Sequence, residues 1–355
     1  MILSKVFSGV NGLLAIAITV LVLISTMVLR SITPQLYPNY FIYLVIAFVV
    51  FYVFFSIDFE IFKVFSTHLY VMSLLLLILP LIIGQVTRGA VRWIPLGSIT
   101  IQPSEIVRPF LLLFFAKFVI DNELNLANII KAVILFLIPF GLILIQPSLG
   151  VAILTGIGFI GVLMASSINK KYFIYIAAIF LLLMPVIWTV LAPYQKQRIN
   201  SFLDPANDPL GAGYNSIQSM ISVGSGGLLG RGLGEGVQTQ LAFLPEKHTD
   251  FIFAATAEEL GFVGSSLIFA GLFTVFWLLI KVIESSKGQV ERAYATGVFM
   301  ILFAETVIHI GMNMGMLPIT GVPLPFVSAG GSALIGTTMA VAIALNARRG
   351  KKLTY

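Results

Sequence analysis

The sequence contains no cysteine, which excludes disulfides and leaves the redox compartment undetermined. Charge is also scarce: 10% of residues are charged and 58% are hydrophobic, whereas an ordinary soluble domain carries about 25% charged residues. A soluble core cannot absorb that apolar excess, so the composition indicates a polytopic membrane protein. No tandem repeat, low-complexity linker or separate soluble domain interrupts the chain, and one integral domain over residues 1–355 is expected. No small-residue cleavage site clearly follows the first apolar run at about 13–29, so that run is expected to be a retained helix rather than a cleaved signal. The formal net charge of +6 does not point to nucleic acid. Its clearest basic cluster, Arg348, Arg349, Lys351 and Lys352, follows an apolar span and suits a cytoplasmic topology anchor.

Apolar stretches of about 17–25 residues mark spanning helices. They fall near 11–30, 40–57, 68–84, 104–120, 127–146, 148–168, 172–192, 250–283, 293–314 and 328–347, which predicts an all-α fold of about ten transmembrane helices. Placing both termini inside puts the larger share of lysines and arginines on the cytoplasmic side. Two external segments then stand out. Residues 84–103 carry Arg88, Arg92 and Trp93. Residues 193–249, between the seventh and eighth helices, are too long for an idle loop and too polar to span. Their scattered apolar residues, such as Ile217, Met220 and Ile221, suggest short re-entrant helices.

The chain is organised around Leu244-Pro-Glu-Lys-His-Thr-Asp-Phe-Ile-Phe-Ala-Ala-Thr-Ala-Glu-Glu-Leu-Gly261, where a polar approach becomes an apolar helix. Asp250 sits at that junction. It is either a helix cap or, crowded by Glu246 and His248, a general acid–base group. On an ideal helix Glu258 lies about 80° around from Asp250 and could share its cavity wall, whereas Glu259 points away and suits a structural pairing. Glu105 and Arg108, three apart, can pair on one helix face. Glu305, His309 and Asn313 form a polar stripe suited to interhelical hydrogen bonds or to substrate. The glycine run Gly224-Ser-Gly-Gly-Leu-Leu-Gly-Arg-Gly-Leu-Gly-Glu-Gly236 lacks the Gly-Lys-Ser/Thr ending of a nucleotide loop, so tightly packed re-entrant backbone is expected. Ser328-Ala-Gly-Gly-Ser332 opens the last helix as a simple break or as an anion site. Glu246, His248 and Asp250 give a loose metal signal, and Mg²⁺ or Mn²⁺ would leave little sequence trace. These features fit an enzyme acting on a lipid-linked substrate or a transporter.

The stretch Phe243-Leu-Pro-Glu-Lys-His-Thr-Asp-Phe-Ile-Phe253 resembles the signature of the SEDS family (shape, elongation, division, sporulation). So do Gly89-Ala-Val-Arg-Trp-Ile94, Gln102-Pro-Ser-Glu105, Phe202-Leu-Asp-Pro205, Gln218-Ser219 and Pro323-Leu-Pro-Phe-Val-Ser-Ala-Gly-Gly-Ser332. The resemblance runs through nearly the whole chain and is closer to the elongation branch than to the division branch. It implies a peptidoglycan glycosyltransferase that polymerises lipid II into a nascent glycan strand at the outer face of the bacterial cytoplasmic (inner) membrane. It also implies a class B penicillin-binding protein as partner. The family's essential aspartate falls on Asp250, its tryptophan loop on Arg92 and Trp93, and its conserved glutamate on Glu105, with Arg108 for the usual lysine. Ser148 stands where the family commonly has an acid, and Ala329 where tyrosine is frequent. On this reading Asp250 is the general base. Arg92, Trp93, Glu105, Arg108, Arg198, Gln218, Ser219, His248, Glu258 and Ser328 are the expected substrate contacts. A divalent cation (Mg²⁺ or Mn²⁺) is the expected cofactor. A flippase for lipid-linked cell-wall precursors is the alternative.

Overall fold

A computed structural model describes residues 9–83, 91–97, 99–123, 125–169, 171–205, 208 and 211–347. The expected anchors Arg348, Arg349, Lys351 and Lys352 lie outside these residues, as do Arg88 and the Gly89-Ala90 part of the tryptophan motif.

Ten helices occupy the ten predicted spans: α1 (Gly9–Ile32), α2 (Tyr37–Ser56), α3 (Phe59–Ile83), α4 (Pro103–Asp121), α5 (Leu126–Ile145), α6 (Leu149–Met164), α7 (Lys171–Val190), α11 (Ile252–Ser285), α12 (Gln289–Asn313) and α13 (Gly331–Asn346). Among the described residues, six helices are long and apolar enough to cross a membrane, α1, α2, α3, α5, α11 and α12. Outward-facing side chains such as Ile82, Leu182 and Phe273 are exposed and apolar, as a lipid-facing surface requires. The chain is an all-α polytopic membrane protein.

The interior is built by close helix pairs, α12 against α6, α13 against α2, α3 against α4 and α11 against α1. Small residues permit the closest of these approaches: the Cα of Gly297 on α12 lies 3.1 Å from where a Cβ on Gly161 of α6 would stand. The third helix begins at Phe59 rather than near 68, its first turn carrying an exposed Glu60 that pairs with a half-buried Lys63 at 3.9 Å. The last helix begins at Gly331 rather than 328, after an irregular segment in which Phe326 has φ +63°.

The external segments are more ordered than their composition suggests. Ile94–Leu96 (β1) and Ile99–Ile101 (β2) form a small antiparallel hairpin in register Leu96↔Ile99, with Gly97 at φ +65° in its turn. This hairpin was not expected from the sequence. Residues 193–249 fold into α8 (Pro193–Leu203), α9 (Ala212–Ser225) and α10 (Val237–Gln240).

The glycine run is packed backbone, as expected. At about 1.5 Å per residue, the 34 residues of α11 would measure roughly 50 Å against a membrane core of about 30 Å. The helix breaks at Gly261 (φ 64°, ψ −157°). The glycine run crosses at that break and satisfies the interrupted ladder: Phe262 N donates to Gly227 O (2.9 Å), Val263 N to Leu228 O (3.1 Å), Arg231 N to Glu258 O (2.9 Å) and Gly232 N to Glu259 O (3.0 Å). Non-helical backbone at membrane depth is tolerated where protein covers it in this way.

Candidate active site

A cavity of about 360 Å³ opens where the hairpin, α4, α6, α8 and the segments before α11 and α13 converge. Asp250 lines it in a tight turn rather than in a helix. Glu246, at φ +46°, turns its carbonyl inward to collect the N–H groups of Thr249 (3.1 Å), Asp250 (3.1 Å) and Phe251 (3.3 Å). Non-glycine residues held at positive φ concentrate at functional sites. The three following carbonyls are each fixed from outside: His248 O accepts from Ala329 N (3.0 Å), Thr249 O from Ser328 Oγ (2.9 Å), and Asp250 O from Asn313 Nδ2 (2.9 Å). The turn carrying the acid is thereby held against both α12 and the segment leading into α13.

Glu246, Thr249, Arg92, Trp93, Glu105 and Arg198 share the cavity with Asp250. Arg92 is steadied by donating from Nη1 to Pro147 O (3.3 Å), and its guanidinium lies 5.8 Å from the Trp93 ring centre. Arg198 Nη1 donates to Ile319 O (3.2 Å). Burial, reinforced by the Glu246 charge, pushes the Asp250 carboxyl up to about 6; Arg198, a Thr249 hydrogen bond and Arg92 pull the other way. Such an acid takes up and releases protons near neutral pH.

Arg108 does not line this cavity. Its Nη2 pairs with Glu105 at 2.7 Å and its Nη1 with Glu305 of α12 at 2.7 Å, all three side chains being buried. The pair expected on one helix face is real, and Glu305 completes it across the bundle. The rest of the polar stripe also bonds outside its own helix: His309 Nδ1 contacts Val322 O in the segment before α13 (2.8 Å), and Asn313 ties α12 to the start of α11.

Gln218, Ser219, His248, Glu258 and Ser328 lie outside the cavity lining. Gln218 is half-buried on α9 and Ser219 Oγ donates to Asn313 O (2.9 Å). His248 Nε2 stands 3.7 Å from Glu246 Oε2. The Ser328 hydroxyl accepts from Leu324 N (2.7 Å) while it braces Thr249. Glu258 is turned away from Asp250, because α11 starts at Ile252 and the wheel angle counted from 250 does not apply. Its carboxylate instead caps α10, accepting from Gln238 N (2.8 Å) and Thr239 N (3.0 Å). Glu259 accepts from Ser31 Oγ (2.8 Å) and Gln240 Nε2 (3.1 Å), the structural pairing expected of it.

One wall was read only in pieces from the sequence, Gln102 and Ser104 within a family motif and Ser332 within a possible anion site, and was not seen as a wall. Gln102 Nε2 donates to Ser104 Oγ (3.1 Å) and Ser148 Oγ (3.3 Å), its backbone N donates to Ser332 Oγ (2.8 Å), and Tyr43 OH accepts from Thr100 N (2.8 Å). These neutral groups come from four separate stretches of chain, around Tyr43, residues 100–104, Ser148 and Ser332, so no single local pattern gathers them. Among the described residues, no group of three or more His, Cys, Asp or Glu side chains could hold a metal ion. Glu246 and Asp250 nevertheless supply two hard carboxylates on one wall, a donor set that suits Mg²⁺ or Mn²⁺ completed by phosphate oxygens and water.

The cavity therefore joins a near-neutral acid, two guanidiniums and a hydroxyl- and amide-bearing wall. It can deprotonate a hydroxyl while holding an anionic group beside it.

The chain is similar to several known proteins. The curated relatives include the peptidoglycan glycosyltransferase MrdB of Escherichia coli K12, 39% identical over 279 residues, covering 78% of this chain and 75% of that protein. They also include the stage V sporulation protein E of Bacillus subtilis 168, 35% identical over 302 residues, covering 83% and 81%. A chain of a peptidoglycan synthase complex that coordinates polymerization and crosslinking shares the fold with a TM-score of 0.83 at 27% identity, covering 95% of this chain and 96% of that one. The rod shape determining protein RodA of Thermus thermophilus shares it with a TM-score of 0.71 at 24% identity, covering 95% of each. The sequence matches the FtsW/RodA/SpoVE family, described as cell cycle protein, over residues 3–353, and the chain belongs to that family.

Proposed function

We propose that this protein is a peptidoglycan glycosyltransferase that polymerises lipid II. The observation carrying the reading is the Asp250 carboxyl, raised to about 6 and lining one cavity with Arg92 and Arg198. Asp250 takes the proton from the 4-hydroxyl of the acceptor sugar as that oxygen forms a bond to C1 of the donor. The bond from C1 to the donor's phosphate oxygen breaks, and undecaprenyl diphosphate leaves with the electron pair. Arg92 and Arg198 offset the charge growing on the leaving group, and Asp250 then returns its proton to water. A Mg²⁺ or Mn²⁺ held by Asp250 and Glu246 would add to that neutralisation. Trp93 offers a ring face to a sugar, and the wall of Gln102, Ser148 and Ser332 offers neutral hydrogen bonds.

The site belongs on the extracytoplasmic face of the bacterial cytoplasmic membrane, with both termini inside; the bias of lysine and arginine across the predicted loops supports this. A class B penicillin-binding protein is the proposed partner. The likeness to a chain from a complex coordinating polymerization and crosslinking supports it. The flippase alternative is not favoured, since the relatives carry glycosyltransferase names.

The test is polymerisation of purified lipid II by the full chain with and without its partner, comparing wild type and Asp250→Asn. Glycan chains from wild type, with a loss of about 10²–10⁴-fold in the variant, are expected. A wild-type rate from Asp250→Asn would overturn the base assignment, and translocation of lipid II without polymer would overturn the enzyme reading.

A further inference from the structure

We infer that Asn313 is a positioning residue for the reaction, its side-chain amide holding the Asp250 turn in register with the cavity. The inference rests on the proposed role of Asp250. Asn313 is the last residue of α12 and is fully buried. Its Oδ1 accepts from Ala254 N (3.0 Å). Since a backbone N–H can only donate, this contact fixes which way the amide faces. Nδ2 is then turned to donate both to Asp250 O (2.9 Å) and to His309 O (2.8 Å). One planar amide thus spans the junction where the turn becomes α11, gripping a carbonyl before the helix and an N–H just inside it.

The rest of the local geometry shows why the grip matters. α11 has no side-chain cap of its own at Phe251, so the Ala254 N–H is satisfied by Asn313 rather than by a preceding Ser, Thr or Asp. The backbone of Asn313 is itself fixed, its carbonyl accepting from Ser219 Oγ on α9 (2.9 Å). Four residues earlier, His309 holds Val322 O, beside Gly321, whose missing Cβ would stand 3.4 Å from Asp250 Oδ2. The end of α12 therefore sets both the peptide of the acid and the loop lying against its carboxylate. A misplacement of about 1 Å in a reacting group can cost about 10²-fold in rate.

The experiment uses the full chain with its penicillin-binding partner, lipid II as substrate, and the variants Asn313→Leu, Asn313→Ser and Asp250→Asn. Leucine keeps the volume without a hydrogen bond, and serine is the smaller substitute should leucine compromise folding. Tyr70→Phe, which removes a hydrogen bond to Leu135 O between residues outside the cavity lining, reports a purely structural loss. Expected is a kcat per folded molecule lowered about 10- to 100-fold with KM within about threefold. A folded variant with kcat within about twofold of wild type, or one whose loss falls on KM rather than on kcat, would overturn the inference. If Asp250→Asn is inactive while Asn313→Leu is normal, only the positioning role falls. If Asp250→Asn is fully active, the base assignment falls first.

Discussion

Arg108 of α4 and Glu305 of α12 meet at 2.7 Å inside the bundle, and the same guanidinium holds Glu105 at 2.7 Å. Glu105 reaches the cavity and Glu305 does not, so this triad links the cavity floor to the interior. Removing the cation would leave two buried carboxylates facing each other. Arg108→Met is expected to lower stability by about 3–5 kcal/mol. Glu305→Gln should be far milder, because Arg108 keeps its Glu105 partner. Thermal midpoints in detergent check the order; equal losses would show that the triad is not the unit.

Gly226 and Gly224 separate packing from composition within one glycine run. A Cβ on Gly226 would collide with the Ala257 carbonyl of α11, whereas Gly224 faces open space. Gly226→Ala is expected to abolish the folded protein or to push the glycine segment off the helix break. Gly224→Ala, within α9, should be neutral or stabilising by about 0.5–1 kcal/mol. Yield and thermal midpoint of the two variants measure the contrast.

The helices were legible because each span is a continuous apolar run, and the site was legible only in part. Asp250 announced itself as an acid where a polar approach meets an apolar helix. Arg92, Glu105 and Arg198 join it from segments that nothing local connects; the motif pattern rather than periodicity grouped Arg92 and Glu105 with it, and Arg198 entered only as a basic group suited to an anionic leaving group. Glu258 illustrates the opposite case: its wheel position assumed that α11 already included residue 250, but the Glu246 turn delays the helix to Ile252. The hairpin escaped notice because two apolar triplets around Gly97-Ser98 are too short for an alternation to register.

Glu258 is consequently expected to matter for stability rather than for substrate. Glu258→Ala would strip the acceptor from the N–H groups of Gln238 and Thr239 and leave them short of partners at a buried helix start. A loss of about 1–3 kcal/mol follows. Glu258→Gln, which keeps one acceptor oxygen, should recover part of it. Hydrogen exchange over 236–241 would localise the effect.

The titration of Asp250 gives the sharpest solution test. As the base it must be ionised, so kcat/KM should rise about tenfold per pH unit below 6 and level off above it. Glu246 raises the carboxyl and Arg198 lowers it. Glu246→Gln should therefore move the acid limb to lower pH and Arg198→Met to higher pH, each by less than about one unit because both side chains meet solvent. The stability linkage has the opposite sense. Asp250 sits above the unfolded carboxylate value of about 3.9, so the folded state holds its proton more tightly, and stability falls as pH rises from about 4 through 6. Asp250→Asn removes the ionisation and should be at least as stable as wild type at pH 7 while losing polymerisation. An inactive variant that was also markedly less stable at that pH would mean that the carboxylate supports the fold, and the loss of activity could then no longer be assigned to a missing base.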